Sequence, residues 1–216
     1  APPATFDNDE LRRVLDLMSE WGDYGWWTAG PERRHVLASI TLARGRLELT
    51  SGRPQRALEW WNWGLAVSPD SYAYDADRLL GKREAVPLEL LSQLVALVDR
   101  RKDSLDPDGR RFDRYIRLLF EGKSSAYAFG DLRSIQRYHT ILGRIFAEQG
   151  RWRVSGPMGA RFQLQNALKA AGRRAEATGV PVPLPDIKLK LADGLRALAD
   201  DPGQRTGALR ERANEL

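Results

Sequence analysis

Apolar residues along this chain recur at helical spacing, and no stretch alternates as a half-buried strand would. Leu11, Val14, Leu15 and Met18 form one stripe behind Asp7 and Asn8, either of which can cap a helix over about 9–21. Gly22, Gly25 and Gly30 interrupt that pattern, around an aromatic run of Trp21, Tyr24, Trp26 and Trp27. Pro31 suits a first helical turn and predicts a second helix over 31 to about 50. Ser51-Gly52-Arg53-Pro54 predicts a turn, and a third helix over about 54–67 ends at Pro69-Asp70-Ser71. From Pro87 onward, Leu88, Leu90, Leu91, Leu94, Val95, Leu97 and Val98 cover most of a helix circumference, as in a central helix covered on several sides.

Asp106-Pro107-Asp108-Gly109 is a turn signal, since proline presets one dihedral and glycine permits a positive φ. Phe112, Tyr115, Ile116, Leu119 and Phe120 then give the clearest amphipathic helix of the chain. Further helices are expected over about 132–149 and 159–177. The three prolines of 180–185 predict an extended strap, and Asp186 is placed to cap a helix carrying Ile187, Leu191, Leu195 and Leu198. The polar tail after Pro202 is expected to be only partly ordered. The fold class is therefore all-α, built of antiparallel helical hairpins. Three segments are expected: an N-terminal helix and aromatic lead over 1–30, a helical domain over 31–180, and a proline strap with C-terminal helices over 181–216.

Two stretches carry a repeat signature. Residues 38–71 place Gly52 at a turn, followed by Ala57, Trp61, Gly64 and Pro69, so that small residues admit close helix approach and an aromatic fills the gap. The preceding helix keeps Gly45 of the pattern. Residues 136–171 carry His139, Leu142, Gly143 and Phe146, then Gly150 and Trp152, then Ala160, Leu164 and Ala167 after an insertion at 155–159, with Gly172 where a proline would close the unit. Both stretches resemble the tetratricopeptide repeat, a helix–turn–helix of roughly 34 residues. In the first unit, Thr41, Arg44 and Glu48 depart from it, standing where an aromatic, a leucine and a tyrosine are expected. The resemblance implies an irregular helical solenoid. A helical bundle with the same small–large spacing is the alternative.

Composition narrows function by exclusion. At 216 residues the chain can bury a core, and no apolar run nears the roughly 20 residues of a bilayer span, as in a soluble protein. Cysteine is absent, which removes disulfides and thiolate metal sites. With only His35 and His139, no cofactor or metal is implied, and His139 falls where the resembled family packs a side chain between helices. No phosphate loop or nucleophile elbow is present, so a helical enzyme of unrecognised type ranks last. The chain begins Ala1-Pro2-Pro3, as after removal of a secretory signal, which favours a periplasmic or secreted protein over a cytoplasmic one.

Charge adds a candidate surface. The net charge is +5, but residues 1–32 carry −5 and residues 131–180 carry +6. Arg133, Arg137, Thr140 and Arg144 fall within roughly 60° of one another on one helix, opposite its apolar stripe. In the resembled family, outward positions of each first helix line a groove. These correspond to Arg137, Thr140, Arg144 and Glu148 in the second unit, and to Ser39, Leu42, Arg46 and Leu49 in the first. Arginines there suit carboxylates. The expected function is a non-catalytic adaptor, a subunit or assembly factor of a larger envelope complex, gripping an acidic protein segment through Arg46, Arg137, Thr140 and Arg144. The alternative partner is an anionic polymer held by the 131–180 arginines. Nucleic acid is the weaker form of it, since the charge is modest and no recognition motif occurs. A second candidate feature is an aromatic platform for sugar rings or a partner's proline, formed by Trp60, Tyr72, Tyr74, Tyr127 and Phe129, against the alternative that the loop aromatics simply pack over helix ends. Of the three tryptophans at 60, 61 and 63, helical phase turns Trp61 inward and leaves Trp60 or Trp63 nearer solvent.

Overall fold

Two glycines decide how the first helical hairpin closes. Helix α1 (Pro31–Thr50) and helix α2 (Pro54–Val67) are joined by a tight turn at Gly52, whose φ of 74° lies in the left-handed region. Gly45 on α1 lies against Trp61, so close that a Cβ there would sit 2.1 Å from the indole nitrogen. Gly64 on α2 faces Thr41 in the same way. Trp61 is fully buried as expected, and its Nε1 donates to the Leu42 carbonyl at 3.2 Å. Trp60 and Trp63 remain partly exposed. The computed structural model describes residues 31–67, 85–199 and 207–216, which form nine α-helices and no strand. The expected helix over 9–21, the aromatic run after it, and Tyr72 and Tyr74 lie outside the described residues.

Helix α3 (Ala85–Arg100) packs on α2 and α1. It opens two residues before Pro87, a position in the first turn where no intrahelical N–H is needed. All seven expected apolar residues from Leu88 to Val98 are buried. The four-residue α4 (Lys102–Leu105) leads into the expected turn. There Asp106 is buried and accepts from Arg111 N and Phe112 N at 2.9 and 2.8 Å, which caps helix α5 (Arg110–Ala128). Tyr115 Oη donates to Asn62 Oδ1 at 2.8 Å and ties α5 to α2.

The chain divides into two compact units between Leu118 and Leu119, inside α5. In the second unit, Asp131 caps helix α6 (Leu132–Glu148) by accepting from the N–H groups of Arg133 and Ser134. Helix α7 (Ala160–Thr178) packs along α6, with Leu164 of α7 lying against Gly143 of α6. The expected strap has no regular structure over 181–184 and leads to helix α8 (Pro185–Ala199). Asp186 lies within the first turn of α8 instead of capping it, while Ile187, Leu191, Leu195 and Leu198 are buried as their spacing requires.

The second of the expected C-terminal helices lies in the polar tail. Residues Gly207–Asn214 form helix α9, which packs on α8. Ala213 is buried in a core with Leu164, Ala167, Ile187, Leu191, Ala192 and Leu195, and Leu209 and Leu216 pack against it. Three well-placed apolar residues hold an otherwise polar segment. This shared core also joins the 181–216 segment to the helices before it.

Candidate functional site

Helix α6 presents two chemically different faces. Ile135, Tyr138, Leu142, Ile145 and Phe146 are buried, together with Gln136 and His139. On the outward side Arg133 and Arg144 are exposed, and Arg137 and Thr140 are partly covered. Arg144 reaches Asp186 of α8 at 3.8 Å, and one step further along Glu148 meets Lys190 at 3.6 Å. Both pairs are solvent-exposed and contribute little stability. Arg137 has no ion-pair partner among the described residues. Between the two arginines the Thr140 hydroxyl is shut off from solvent and has no hydrogen-bond partner.

The corresponding face of α1 lies in the first unit. Ser39, Leu42 and Leu49 are partly exposed and Arg46 is exposed, bonded through Nη2 to Glu89 Oε1 at 2.7 Å. The departures from the repeat pattern lie inside. Thr41, Arg44 and Glu48 are buried. Glu48 pairs with Arg44 at 3.2 Å and with Arg53 from the turn, so its buried charge is compensated where an apolar residue was expected. The Arg44 guanidinium also lies over the Trp60 ring, 5.5 Å from its centroid, and Trp63 meets Trp60 edge-on at 5.8 Å. Trp60 thus already stacks within its own unit. Tyr127 and Phe129 remain exposed, and Tyr127 sits in the last turn of α5.

His139 is buried, as expected, but it does more than fill space. Gln163 Nε2 donates to the Pro157 carbonyl, which can only accept, and this fixes the amide orientation. Gln163 Oε1 therefore accepts from His139 Nδ1–H, and His139 Nε2 accepts from the Tyr127 hydroxyl at 2.7 Å. The imidazole is neutral with one tautomer. Burial lowers its pKa to about 4, against the Gln163 bond and with help from nearby Lys123. Lys123 is itself buried, with its ammonium 4.2 Å from the centre of the Phe120 ring, and burial lowers its pKa to about 8. Burial raises the pKa of Tyr127, opposed by Arg173.

Gln163 and Lys123 were missed in the sequence. Lys123 continues the Ile116, Leu119, Phe120 stripe by one turn, and a polar residue on an apolar stripe is the signal that could have found it. A separate cleft of 270 Å³ on the second unit is lined by Leu168, Leu191, Leu195 and Leu216 with Lys169 and Arg212, and contains none of the expected site residues. No cluster of His, Cys, Asp or Glu able to hold a metal ion occurs among the described residues, and none of their helices is long and apolar enough to cross a membrane. No family model, curated protein or solved structure matches the chain.

Proposed function

We propose that this chain is a non-catalytic interaction scaffold that grips an acidic segment of a partner protein along the outward face of α6. The observation that carries the reading is the Arg137–Thr140–Arg144 stripe, where two guanidinium groups about two helical turns apart share the outward face of α6. Guanidinium binds carboxylate bidentately, and carboxylates about three residues apart on an extended segment match the roughly 10 Å between the two arginine positions. The tetratricopeptide resemblance supports the same face, since it is the one that lines the groove in that family. Arg46 offers the same chemistry on the first unit. Its exposed pairing with Glu89 is weak enough to exchange for a partner's carboxylate.

The test is charge reversal. A partner recovered by native affinity purification should be lost from the Arg137→Glu/Arg144→Glu double variant, while stability stays within about 0.5 kcal/mol of the parent, as is usual for solvated positions. Retention of the partner by a folded double variant would move the interface elsewhere and make the stripe an ordinary solvated face.

A further inference from the structure

Of the large apolar side chains that the second unit leaves exposed, Tyr127, Met158 and Phe162 belong to segments that meet at one buried polar node, and Phe129 and Val154 lie within a few residues of them along the chain. Tyr127 comes from the last turn of α5 and stands edge-on to the His139 ring at 5.7 Å. Phe162 comes from the first turn of α7 and meets the same ring at 6.5 Å. Gln163 holds the carbonyl of Pro157, in the 3-10 turn Gly156–Met158 that carries Met158. The Val154 carbonyl closes on Gly159, where a Cβ would lie 1.8 Å from its oxygen, so this loop folds back onto the start of α7. Exposed apolar residues scattered singly need no explanation, whereas a group converging on one point marks a contact surface.

The geometry says what such a surface accepts. Tyr127 is 49% exposed, yet its hydroxyl is tied to buried His139, so the ring is held in place before any partner arrives. The polar atoms of the node point inward and are consumed by one another, from Tyr127 through His139 and Gln163 to the Pro157 carbonyl. A sugar needs hydrogen-bonding partners for its hydroxyls as well as an aromatic face, and these groups offer it none. An apolar peptide needs only area. The same segments carry Arg153, Arg161 and Arg173, and Arg173 acts electrostatically on Tyr127. We infer that this surface docks an apolar peptide segment of a partner protein, proline-bearing or aliphatic, with acidic residues on its flanks. The inference is independent of the arginine stripe, because His139 and the Arg137/Arg144 pair lie on different faces of α6.

Methionine supplies the probe. The chain has two, Met18 and Met158, and Met158 is exposed on this surface, so its methyl resonance in a labelled sample reports on binding there. The ligand is a blocked octapeptide with a Leu-Pro-Pro-Leu centre between paired acidic residues. Its titration should move the Met158 methyl resonance saturably. Phe162→Ala and Phe129→Ala should each weaken binding about tenfold, as loss of an aromatic anchor does. Phe129 is 61% exposed, so that variant keeps the test valid if Phe162→Ala does not fold. Tyr127→Phe keeps the ring but releases it from His139, and should fall between these and the parent. The Arg137→Glu/Arg144→Glu variant should bind the octapeptide like the parent. No movement of Met158 at millimolar peptide overturns the inference, as does undiminished binding in both folded alanine variants. Equal response to cellohexaose overturns the choice of a peptide, and equal affinity for a lysine-flanked octapeptide overturns the acidic flanks.

Discussion

A cavity at position 61 could not be refilled from across the hairpin, because Gly45 has no side chain to offer and Gly64 is closed against Thr41. Trp61→Ala should therefore cost about 3–5 kcal/mol in chemical denaturation, near the upper end for a large core truncation. Trp60→Ala should cost clearly less, because Trp60 is partly exposed and its Arg44 contact is one of several that Arg44 makes. Gly45→Ala is the reciprocal test, since its new Cβ meets the indole and should destabilise by roughly 1–3 kcal/mol. Equal midpoints for the two tryptophan variants would show that the helix phase is misassigned. That phase was legible, because successive residues on a helix turn by about 100° and only one of three neighbouring tryptophans can face inward. The fate of Thr41, Arg44 and Glu48 was not. Their positions could be read as interior, but the pairing that makes Glu48 tolerable depends on Arg53, which only the folded turn brings back to it.

Elements built around a neutral buried imidazole acquire a pH dependence with a definite sign. The Tyr127–His139–Gln163–Pro157 chain links α5, α6, α7 and the turn before α7. The folded pKa of His139, about 4, lies below its ordinary value of 6.5, so between these values the unfolded chain binds more protons. The contribution of neutral His139 is then complete above about 6.5 and is lost as pH falls toward 4. Urea denaturation of the parent and of His139→Gln, compared across this window, isolates the effect because the carboxylates are common to both. The stability advantage of the parent should shrink as pH falls. A difference that stays constant with pH would mean that the imidazole is not held neutral. Helix α6 itself was legible from its period, and its cap from Asp131. The network was not, because sequence spacing relates residues within one helix, whereas His139 and Gln163 meet only through the antiparallel packing of α6 on α7.

At the scale of the whole molecule, helical content and most helix limits follow from periodicity, but the division into units does not. The stripe of α5 runs on through Leu118 and Leu119 without a break, so nothing in the sequence marks the boundary there. The docking of the tail was not legible either, since among the described residues it runs through a few apolar side chains, Leu209, Ala213 and Leu216, in a polar segment. Charge is the property that separates an acidic protein segment from an anionic polymer as partner. The cations of 131–180 are divided among the outward face of α6, the loop after it and α7, and several already have partners: Arg144 with Asp186, Arg151 with Phe146, Arg174 with Gln136. A polymer tracking six of them would release a counterion at each, and affinity would fall with a log–log slope of about −5 in salt. A short acidic peptide bridging Arg137 and Arg144 makes two such contacts and carries no comparable condensed counterion atmosphere, so its affinity should fall with a much shallower slope. Calorimetric titration of a hexaglutamate peptide and of a DNA 20-mer over that range measures both slopes. The peptide should bind with the shallow slope and lose it on Arg137→Glu/Arg144→Glu. Tighter binding of the DNA, with the steep slope and little effect of the double variant, would make the basic region a polymer track and end the case for an acidic peptide on α6.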